Sequence, residues 1–266
     1  MFKARHQIII VVLLFLSGHI VGQKKSAKKN YVKVLTLNIL HGATTKGDFN
    51  LDIIANVIKK AGADFVALQE VDFKTNRAKK YDLPTELGFR TKMTSVFGRA
   101  MYYDGGEYGE GVLSKYTFLS TRNVALPYTK GNEPRAALEV VSVLKSGDTI
   151  AFVGTHLDHL KEDTDRVSQV KEINKVFSKA KYPTILTGDL NDTPNSKAIQ
   201  ILEEFWQASY YKGNPKKTYP SDMPTEKIDY VLFYPKNKWR VVSRKTICDT
   251  IASDHCGYLV TLELLD

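Results

Sequence analysis

Runs of apolar, often β-branched residues alternate along the chain with segments of helical periodicity. Alternation and apolar runs predict strands at 31–39, 64–71, 112–114, 118–126, 136–143, 149–157, 183–191, 228–233, 239–247 and 258–264. Helical spacing with stop signals predicts helices at 51–62, 81–88, 163–180 and 196–205. The Gly-rich stretch 102–111, "YYDGGEYGEG", predicts a loop. Because strands outnumber helices and many are joined by hairpin-length connections, we expect an α/β fold of two packed mixed sheets with outer helices.

The N-terminus has the layout of a targeting segment. A positively charged start precedes an unbroken apolar run at 8–16, and small residues follow it. This pattern predicts a secretory signal peptide over 1–22, a basic linker over 23–30 and one domain over 31–266. An uncleaved membrane anchor is the alternative, but the run is shorter than the roughly 20 residues that span a bilayer. We therefore expect a periplasmic or extracellular protein.

The net charge of +9 is concentrated at the N-terminus. Six of the 38 basic residues precede residue 30, where there is no acid, and the remaining 32 face 29 acidic residues. The predicted domain is therefore close to neutral. Its charge gives no argument for binding a polyanion such as nucleic acid.

The stretch "IASDHCGYLV", residues 251–260, brings an acid, an imidazole and a thiol together. A cysteine nucleophile is poorly supported, because adjacent residues on an extended segment point to opposite faces. Cys256 and Cys248 could form a disulfide in an oxidising compartment. Sequence does not supply the geometry that decides this, and two buried free thiols are the favoured prediction.

Polar side chains recur where the predicted strands begin or end. These residues are Asn38, Glu70, His156, Asp189, Asn191, Asp229, Asp254 and His255. One such residue alone usually forms a turn or a cap, but the set predicts a site along one rim of a sheet. Asp229 stands among apolar neighbours, so its burial requires a cation or a hydrogen-bond donor.

The composition of this set favours oxygen-ligand chemistry. Carboxylate and amide oxygens suit a hard cation, Mg²⁺ or alternatively Mn²⁺, better than zinc. The sequence contains no His-x-x-x-His on a helix and no Cys-x-x-Cys pair, which argues further against zinc. It also contains neither the Gly-x-Ser-x-Gly motif of serine hydrolases nor a phosphate-binding P-loop.

Six motifs, taken in order, carry a family resemblance. They are "LTLNI", "LQEVD", "THLDH", "TGDLND", "IDYVL" and "SDHCGYL", spread between Val32 and Leu264. In this order they resemble the endonuclease/exonuclease/phosphatase superfamily, which includes deoxyribonuclease I, AP endonucleases, inositol polyphosphate 5-phosphatases and neutral sphingomyelinases. The resemblance implies a four-layer αββα sandwich and a metal-dependent phosphoesterase.

The resemblance also implies a metal site and a proton-handling pair. Glu70 is expected to be the principal metal ligand, with Asn38 and Asp254 supporting it. His255 is expected to work with Asp229 as an imidazole–carboxylate pair, because a carboxylate partner raises the basicity of an imidazole and fixes its tautomer.

Further residues are expected to bind the phosphate and activate water. By the resemblance, His156 and Asn191 hold phosphate oxygens and Asp189 orients or deprotonates the attacking water. The sequence leaves open whether Asp189 or His255 is the base. Arg135, in "EPRAAL", is a candidate for phosphate binding, with a surface arginine as the alternative.

Three other features bear on supporting roles and on the substrate. Arg166 and Gln169, one helical turn apart, are expected to pack or to hydrogen-bond the loop after "THLDH". Glu110 stands where many nucleases of the family carry Asn, and an acid near the substrate would disfavour a polyanionic strand. The region 81–108 is expected to face the substrate with its tyrosines, although most such tyrosines simply pack.

These observations favour a phosphodiesterase or phosphomonoesterase acting on a small-molecule or lipid-linked phosphate ester by direct water attack. A secreted nuclease cleaving DNA or RNA is the alternative. A catalytically inactive binding module on the same fold is more remote, because a binder needs no such set of acids and imidazoles. No stable protein partner is implied.

Overall fold

The computed structural model describes residues 30–265. The predicted signal peptide, 1–22, and residues 23–29 of the predicted linker lie outside this range, so export stays a prediction. Within 30–265, no helix combines the length and the apolar character needed to cross a membrane.

The secondary structure follows the predicted alternation closely. Its strands are β1 (Asn30–Asn38), β2 (Phe65–Phe73), β3 (Thr94–Tyr103), β4 (Gly106–Ser114), β5 (Phe118–Ala125), β6 (Ala136–Val143), β7 (Thr149–His156), β8 (Thr184–Asp189), β9 (Gln207–Ala208), β10 (Asp229–Tyr234), β11 (Trp239–Ile247) and β12 (Gly257–Leu264). Its α-helices are α1 (Leu51–Ala61), α2 (Leu83–Thr91), α3 (Thr164–Phe177) and α4 (Lys197–Glu203).

The strands form two six-stranded mixed sheets. The first sheet has the order β11-β12-β1-β2-β4-β3, and the second has the order β5-β6-β7-β8-β10-β9. Each sheet has one parallel pair near its centre, β1 with β2 and β7 with β8, and its other neighbours are antiparallel. The predicted class of two packed mixed sheets with outer helices is confirmed.

Three apolar layers hold the sandwich together. Alternate residues of β1 face opposite ways: Val34 packs into the layer between the sheets, and Leu35 packs under α1 and α2. Phe65 of the first sheet stacks on Phe152 of the second, with ring centroids 5.2 Å apart. A third cluster joins the second sheet to α3 and α4. Both faces of the central strands of each sheet are therefore buried, as a four-layer sandwich requires.

Both ends of helix α1 are set by local residues, which is why the sequence predicts them. The side chain of Asn50 accepts hydrogen bonds from the backbone N–H groups of Asp52 and Ile53, and capping of this kind typically contributes about 1 kcal/mol. Gly62 ends the helix with a left-handed φ of 62°.

The predicted loop at 102–111 is wrong. It is the turn and second strand of a hairpin in which β3 and β4 pair from Thr94–Ser114 to Tyr103–Gly106. Strand β4 therefore begins at Gly106, six residues before the predicted start, and β3 was not predicted. A Cβ on Gly109 would lie 2.1 Å from the carbonyl oxygen of Gly98, so this glycine serves the close approach of two strands.

Smaller boundary errors occur elsewhere. Helix α2 runs from Leu83 to Thr91, where 81–88 was predicted, because Asp82 caps its start by accepting from the N–H of Thr85. The short strand β9 was not predicted. Strand β12 begins at Gly257, so Cys256 belongs to the preceding loop.

The favoured prediction of two free thiols is also wrong, because Cys248 and Cys256 form a disulfide. Cys248 directly follows β11 and Cys256 directly precedes β12, and β11 and β12 are antiparallel neighbours. The pairing of the two strands therefore brings the two cysteines together, which the linear sequence does not show. The bond closes the loop that carries Asp254 and His255, and it removes Cys256 as a nucleophile.

Candidate active site

The topology brings the predicted polar residues to one end of the sandwich. Because β1 and β2 are parallel, Asn38 and Glu70 lie toward the same rim of the first sheet. Because β7 and β8 are parallel, His156 and Asp189 end those strands as register partners in the second sheet.

Two antiparallel strands begin where these strands end. Asp229 opens β10 and is the register partner of Asp189. Strand β12 runs antiparallel to β1, so the loop before it places Asp254 and His255 beside Asn38, whose carbonyl accepts a hydrogen bond from Ser253 Oγ (2.7 Å).

The result is one cleft of about 540 Å³ between the ends of the two sheets. Seven of the nine predicted site residues line it: Glu70, Arg135, His156, Asp189, Asn191, Asp254 and His255. Asn38 and Asp229 are buried behind this lining and contact Glu70 and His255 respectively.

Glu70 is held as an ionised carboxylate. It lies at a bulge in β2 with a left-handed φ of 55°, which turns its side chain out of the regular ladder. Asn38 Nδ2 donates to Glu70 Oε1 (3.0 Å), and His41 Nδ1 lies 3.6 Å from Oε2. Burial opposes the charge, but the polar contacts with His41 and Asn38 outweigh it and lower the pKa of Glu70 to about 2.

A cation fits beside Glu70 and Asp254. The Oδ1 atom of Asp254 is buried and has no hydrogen-bond partner among the described residues. Burial and the nearby negative charge of Glu70 both contribute to a raised pKa of Asp254. Two carboxylates lining one cleft, one of them with an unpartnered oxygen, are donors of the kind that a hard divalent ion binds, so the residues fit the implied metal.

His255 is held as a cation between two carboxylates. Its Nδ1 lies 3.1 Å from Asp229 Oδ2, and its Nε2 lies 3.7 Å from Asp189 Oδ2. Burial alone lowers the pKa of His255, but Asp229 and Asp189 outweigh burial and raise it to about 10. The donor that the buried Asp229 requires is therefore this imidazolium.

Asp189 is poised between its ionised and neutral forms. Burial and the neighbouring carboxylate of Asp229 raise its pKa to about 7. The backbone N–H of Asn191 donates to Asp189 Oδ1 (3.0 Å) and fixes the carboxyl group. Ligand atoms of Asp189, Asp229 and His255 also lie within 4.8 Å of one another, but a metal ion held there would require His255 to give up its proton.

His156 is held neutral with a defined tautomer. Burial and the positive charge of Arg135 keep its pKa well below the usual range. Arg135 Nη1 lies 2.9 Å from His156 Nδ1, and because a guanidinium only donates, Nδ1 accepts and the ring proton is on Nε2. Asp189 Oδ2 lies 3.6 Å from that Nε2, and Asn191, whose Nδ2 donates to the carbonyl of Leu157 (3.0 Å), lies beside the ring. The predicted surface alternative for Arg135 is wrong, because this side chain is buried and lines the cleft.

Glu110 was predicted to lie near the substrate. Its side chain is buried outside the cleft lining, and burial raises its pKa well above the usual range. Glu110 therefore does not line the cleft, and the predicted effect of Glu110 on a polyanionic substrate stays a prediction.

The predicted supporting role of Arg166 and Gln169 is confirmed. Arg166 Nη1 donates to the carbonyls of Asp158 (3.1 Å) and Leu160, and Gln169 Oε1 accepts from the N–H of Asp158 (2.9 Å). Both side chains therefore hold the loop that follows His156.

Sequence reasoning missed several residues of the cleft. They are His41, Arg77, Glu133, His159, Tyr219, Glu226 and Ile228. His159 is the second histidine of "THLDH" and could have been found from that motif. Most of the others come from loops away from the quoted motifs. Loops have no strand pairing from which the direction of a side chain could be predicted. From the region 81–108, Met101, Tyr103 and Tyr108 line the cleft, as expected of a substrate-facing segment.

Residues 35–255 match the Endonuclease/Exonuclease/phosphatase family. The chain belongs to this family. Endonuclease/exonuclease/phosphatase proteins are hydrolases of phosphoester bonds and generally depend on a divalent metal.

Three proteins illustrate the range of the family. The chain is 28% identical over 224 residues, 77% of its length, to uncharacterized protein YbhP of Escherichia coli K12, covering 85% of that protein. A family structure from Bacteroides vulgatus superposes with a TM-score of 0.72 at 24% identity, covering 89% of this chain and 100% of that one. A mannosyl-6-phosphatase of Bacteroides thetaiotaomicron gives a TM-score of 0.66 at 17% identity, with coverages of 87% and 99%. The two structural likenesses show the shared fold.

Proposed function

We propose that the protein is a divalent-metal-dependent phosphoesterase that hydrolyses a small-molecule or lipid-linked phosphate ester by direct attack of water. One observation carries this proposal. The carboxylates of Glu70 and Asp254, suited to a cation, share a cleft with the protonated His255 and the carboxyl of Asp189. A phosphoryl group between them meets positive charge and a base together.

Asp189 is the better candidate for the base. At neutral pH His255 already carries its proton, since Asp229 and Asp189 raise its pKa to about 10, and a protonated imidazole cannot accept another. The pKa of Asp189, about 7, is matched to proton transfer near pH 7. Asp189 therefore takes the proton from the attacking water.

The other side chains bind the phosphoryl group. His255 stabilises negative charge on its oxygens, and Nε2–H of His156 donates to one of them. Arg135 holds His156 in place, Asn191 lies beside its ring, and Arg135 Nε, which has no acceptor among the described residues, is a further donor beside the cleft. Glu70 and Asp254, with Asn38 orienting Glu70, would hold the cation. A bound Mg²⁺ or Mn²⁺ would supply charge neutralisation during phosphoryl transfer.

The charge of the cleft favours a small substrate over a nucleic acid strand. Five carboxyl groups and two guanidinium groups line it, and no lysine lies among the described lining residues. A long polyanion is bound through many basic contacts, which this lining does not offer. The mannosyl-6-phosphatase on the same fold is a precedent for a small phosphate ester.

Hydrolysis assays with purified protein test the proposed function. We expect cleavage of p-nitrophenyl phosphate or bis-p-nitrophenyl phosphate with Mg²⁺ and its loss with EDTA. Sphingomyelin, supercoiled plasmid and single-stranded RNA are compared in parallel. Rapid nicking of plasmid would favour the nuclease alternative, and no hydrolysis of any ester with Mg²⁺ or Mn²⁺ would refute the proposal.

Cation binding is expected to require Glu70. Saturating Mg²⁺, at about 100 times its Kd, is expected to stabilise the wild type by roughly 2.7 kcal/mol, or about 5–10 °C in Tm. Glu70→Gln is expected to abolish most of this shift, because it removes the ionised ligand. Thermal melts with and without Mg²⁺ measure the shift.

Glu204→Gln is the matched control, since Glu204 is exposed at the end of α4. It should retain the full Mg²⁺ shift. An equal shift in Glu70→Gln and wild type would contradict the assignment of Glu70 as a ligand.

A further inference from the structure

One wall of the cleft is formed by Arg77, Tyr103 and Tyr108, called here the Arg77 cluster. None of the three takes part in the proposed chemistry. Arg77 follows β2 in the loop before α2, and the two tyrosines belong to the β3–β4 hairpin. Their position beside the catalytic groups raises the question of which part of a substrate they contact.

Arg77 is fixed before any ligand binds. Asp72, which is fully buried, accepts from Arg77 Nε (2.7 Å) and Nη2 (2.8 Å). The backbone N–H of Arg77 donates to Asp104 Oδ2 at the hairpin turn (2.7 Å). The guanidinium lies 4.6 Å from the ring centroid of Tyr103 and 5.6 Å from that of Tyr108. A group held this firmly loses little freedom when it binds a ligand.

The cluster still presents unused donors and an aromatic face. Among the described residues, Arg77 Nη1 has no hydrogen-bond acceptor, and the Arg77 side chain is 32% exposed. Tyr103 is 41% exposed. Guanidinium N–H groups donate to hydroxyl oxygens, and an aromatic face packs against the C–H face of a saturated ring.

The charges of the wall oppose a second anionic group on the ligand. Arg77 is paired with Asp72, and Arg135 Nη1 lies 3.1 Å from Glu133 Oε1. The five carboxyl groups of the lining thus face no unpaired guanidinium in the described part of the chain. The protonated His255 is matched by Asp229 and Asp189, and a bound cation would offset Glu70 and Asp254. The scissile phosphate then adds negative charge, so a further anion would meet net negative charge.

We propose that the Arg77 cluster binds the leaving group of the substrate, and that this group is a neutral polyhydroxylated ring such as a sugar or a cyclitol. This inference rests on the proposed phosphoesterase function and names its substrate class. The oxygen of water forms the new P–O bond, and the P–O bond to the ring breaks. One proton of the water passes to Asp189, and overall water supplies the proton with which the ring leaves as its alcohol.

A matched set of phosphate esters tests the ring chemistry. The set is myo-inositol 1-phosphate, cyclohexyl phosphate, which lacks the hydroxyl groups, and myo-inositol 1,4-bisphosphate, which adds an anion. The first two are also prepared as methyl diesters, and the p-nitrophenyl esters report general activity. We expect kcat/KM for the inositol monophosphate ester to exceed that of both comparison compounds by about ten-fold.

Two variants of the cluster and two controls locate this preference. Arg77→Lys keeps a positive charge beside Asp72 but loses the planar guanidinium with its several N–H donors. It is expected to bring the ratio of kcat/KM for the inositol ester to kcat/KM for the cyclohexyl ester close to one. Tyr103→Ala is expected to raise KM for the inositol ester several-fold. Arg99→Lys and Tyr102→Ala alter the same kind of pair on the same hairpin but outside the cleft lining, with Arg99 4.2 Å from the Tyr102 ring. Both controls should retain the wild-type ratio.

The outcomes separate the inference from the proposed function. Hydrolysis of no ester at all would overturn both. Hydrolysis of the p-nitrophenyl esters without preference for the inositol ring, or with preference for the bisphosphate, would overturn the inference alone. An inositol preference that folded Arg77→Lys retains would also overturn it.

Discussion

Replacing Asp189 with asparagine is expected to lower kcat/KM by about 10³-fold, the scale of a lost general base. The change keeps the volume of the side chain, and an amide oxygen can still accept from the N–H of Asn191. It removes the group that takes the proton from water. Steady-state hydrolysis of the preferred ester at pH 8 with Mg²⁺ measures the effect.

The same substitution is expected not to destabilise the protein above pH 7. Burial and Asp229 raise the pKa of Asp189 from 3.8 to about 7, so the folded protein binds a proton that the unfolded chain releases. An acid with a raised folded pKa favours the folded state below 3.8, and this contribution is lost as pH rises through 7. Asparagine does not titrate, so the Asp189→Asn protein does not lose this stability as pH rises through 7.

Asp222→Asn is the matched control, since Asp222 is exposed on the loop between Tyr219 and Glu226. It should have wild-type kinetics. Melting curves in EDTA from pH 5 to 9 provide the stability comparison. An Asp189→Asn protein that is folded and retains wild-type kcat would eliminate Asp189 as the base and return the choice to His255.

The second large effect is expected from the disulfide. The double substitution Cys248→Ser, Cys256→Ser should lower the free energy of unfolding by about 2.5 kcal/mol, because the bond closes a short loop in the unfolded chain. For a domain of this size that is roughly 5–10 °C in Tm. Activity should fall too, because Asp254 and His255 lie within the closed loop.

Dithiothreitol provides the matched comparison for the disulfide. Reduced wild-type protein should have the same Tm as the double variant, and dithiothreitol should not change the Tm of the variant. Urea denaturation measures the free energies, and equal stability of oxidised and reduced wild type would contradict the expectation. A bond of this kind is typical of oxidising compartments, which agrees with the predicted export.

The sequence predicts those elements whose burial is periodic. Strands β6 and β7 are mostly buried and were located within one residue, and α1 was located by its periodicity and its glycine stop. Strand β3 is an edge strand with only one buried residue, so it has no apolar run that could reveal it. The glycines of β4 resemble a loop because local propensity does not encode the approach of β3 to Gly109.

The residues of the site also divide into those that the sequence predicts and those that it does not. Strand-end motifs predicted residues whose direction is fixed by register, such as Asp189 opposite Asp229. Arg77 and Tyr219 come from loops, so only the folded chain shows that they face the cleft. Glu110 was misread because the sequence places it near the site but does not show that its side chain is buried.

The division of the site between two sheets has a consequence for its mechanics. Glu70 and His255 belong to the first sheet and its loops, and Asp189 and Asp229 belong to the second. The His255–Asp229 contact therefore joins the two sheets at the end of the sandwich that carries the cleft. The packing of the two sheets, which includes the stacked Phe65 and Phe152, therefore determines the distances from Glu70 and His255 to Asp189 and Asp229. The apolar residues packed between the two sheets thus determine how the catalytic residues of one sheet are positioned against those of the other.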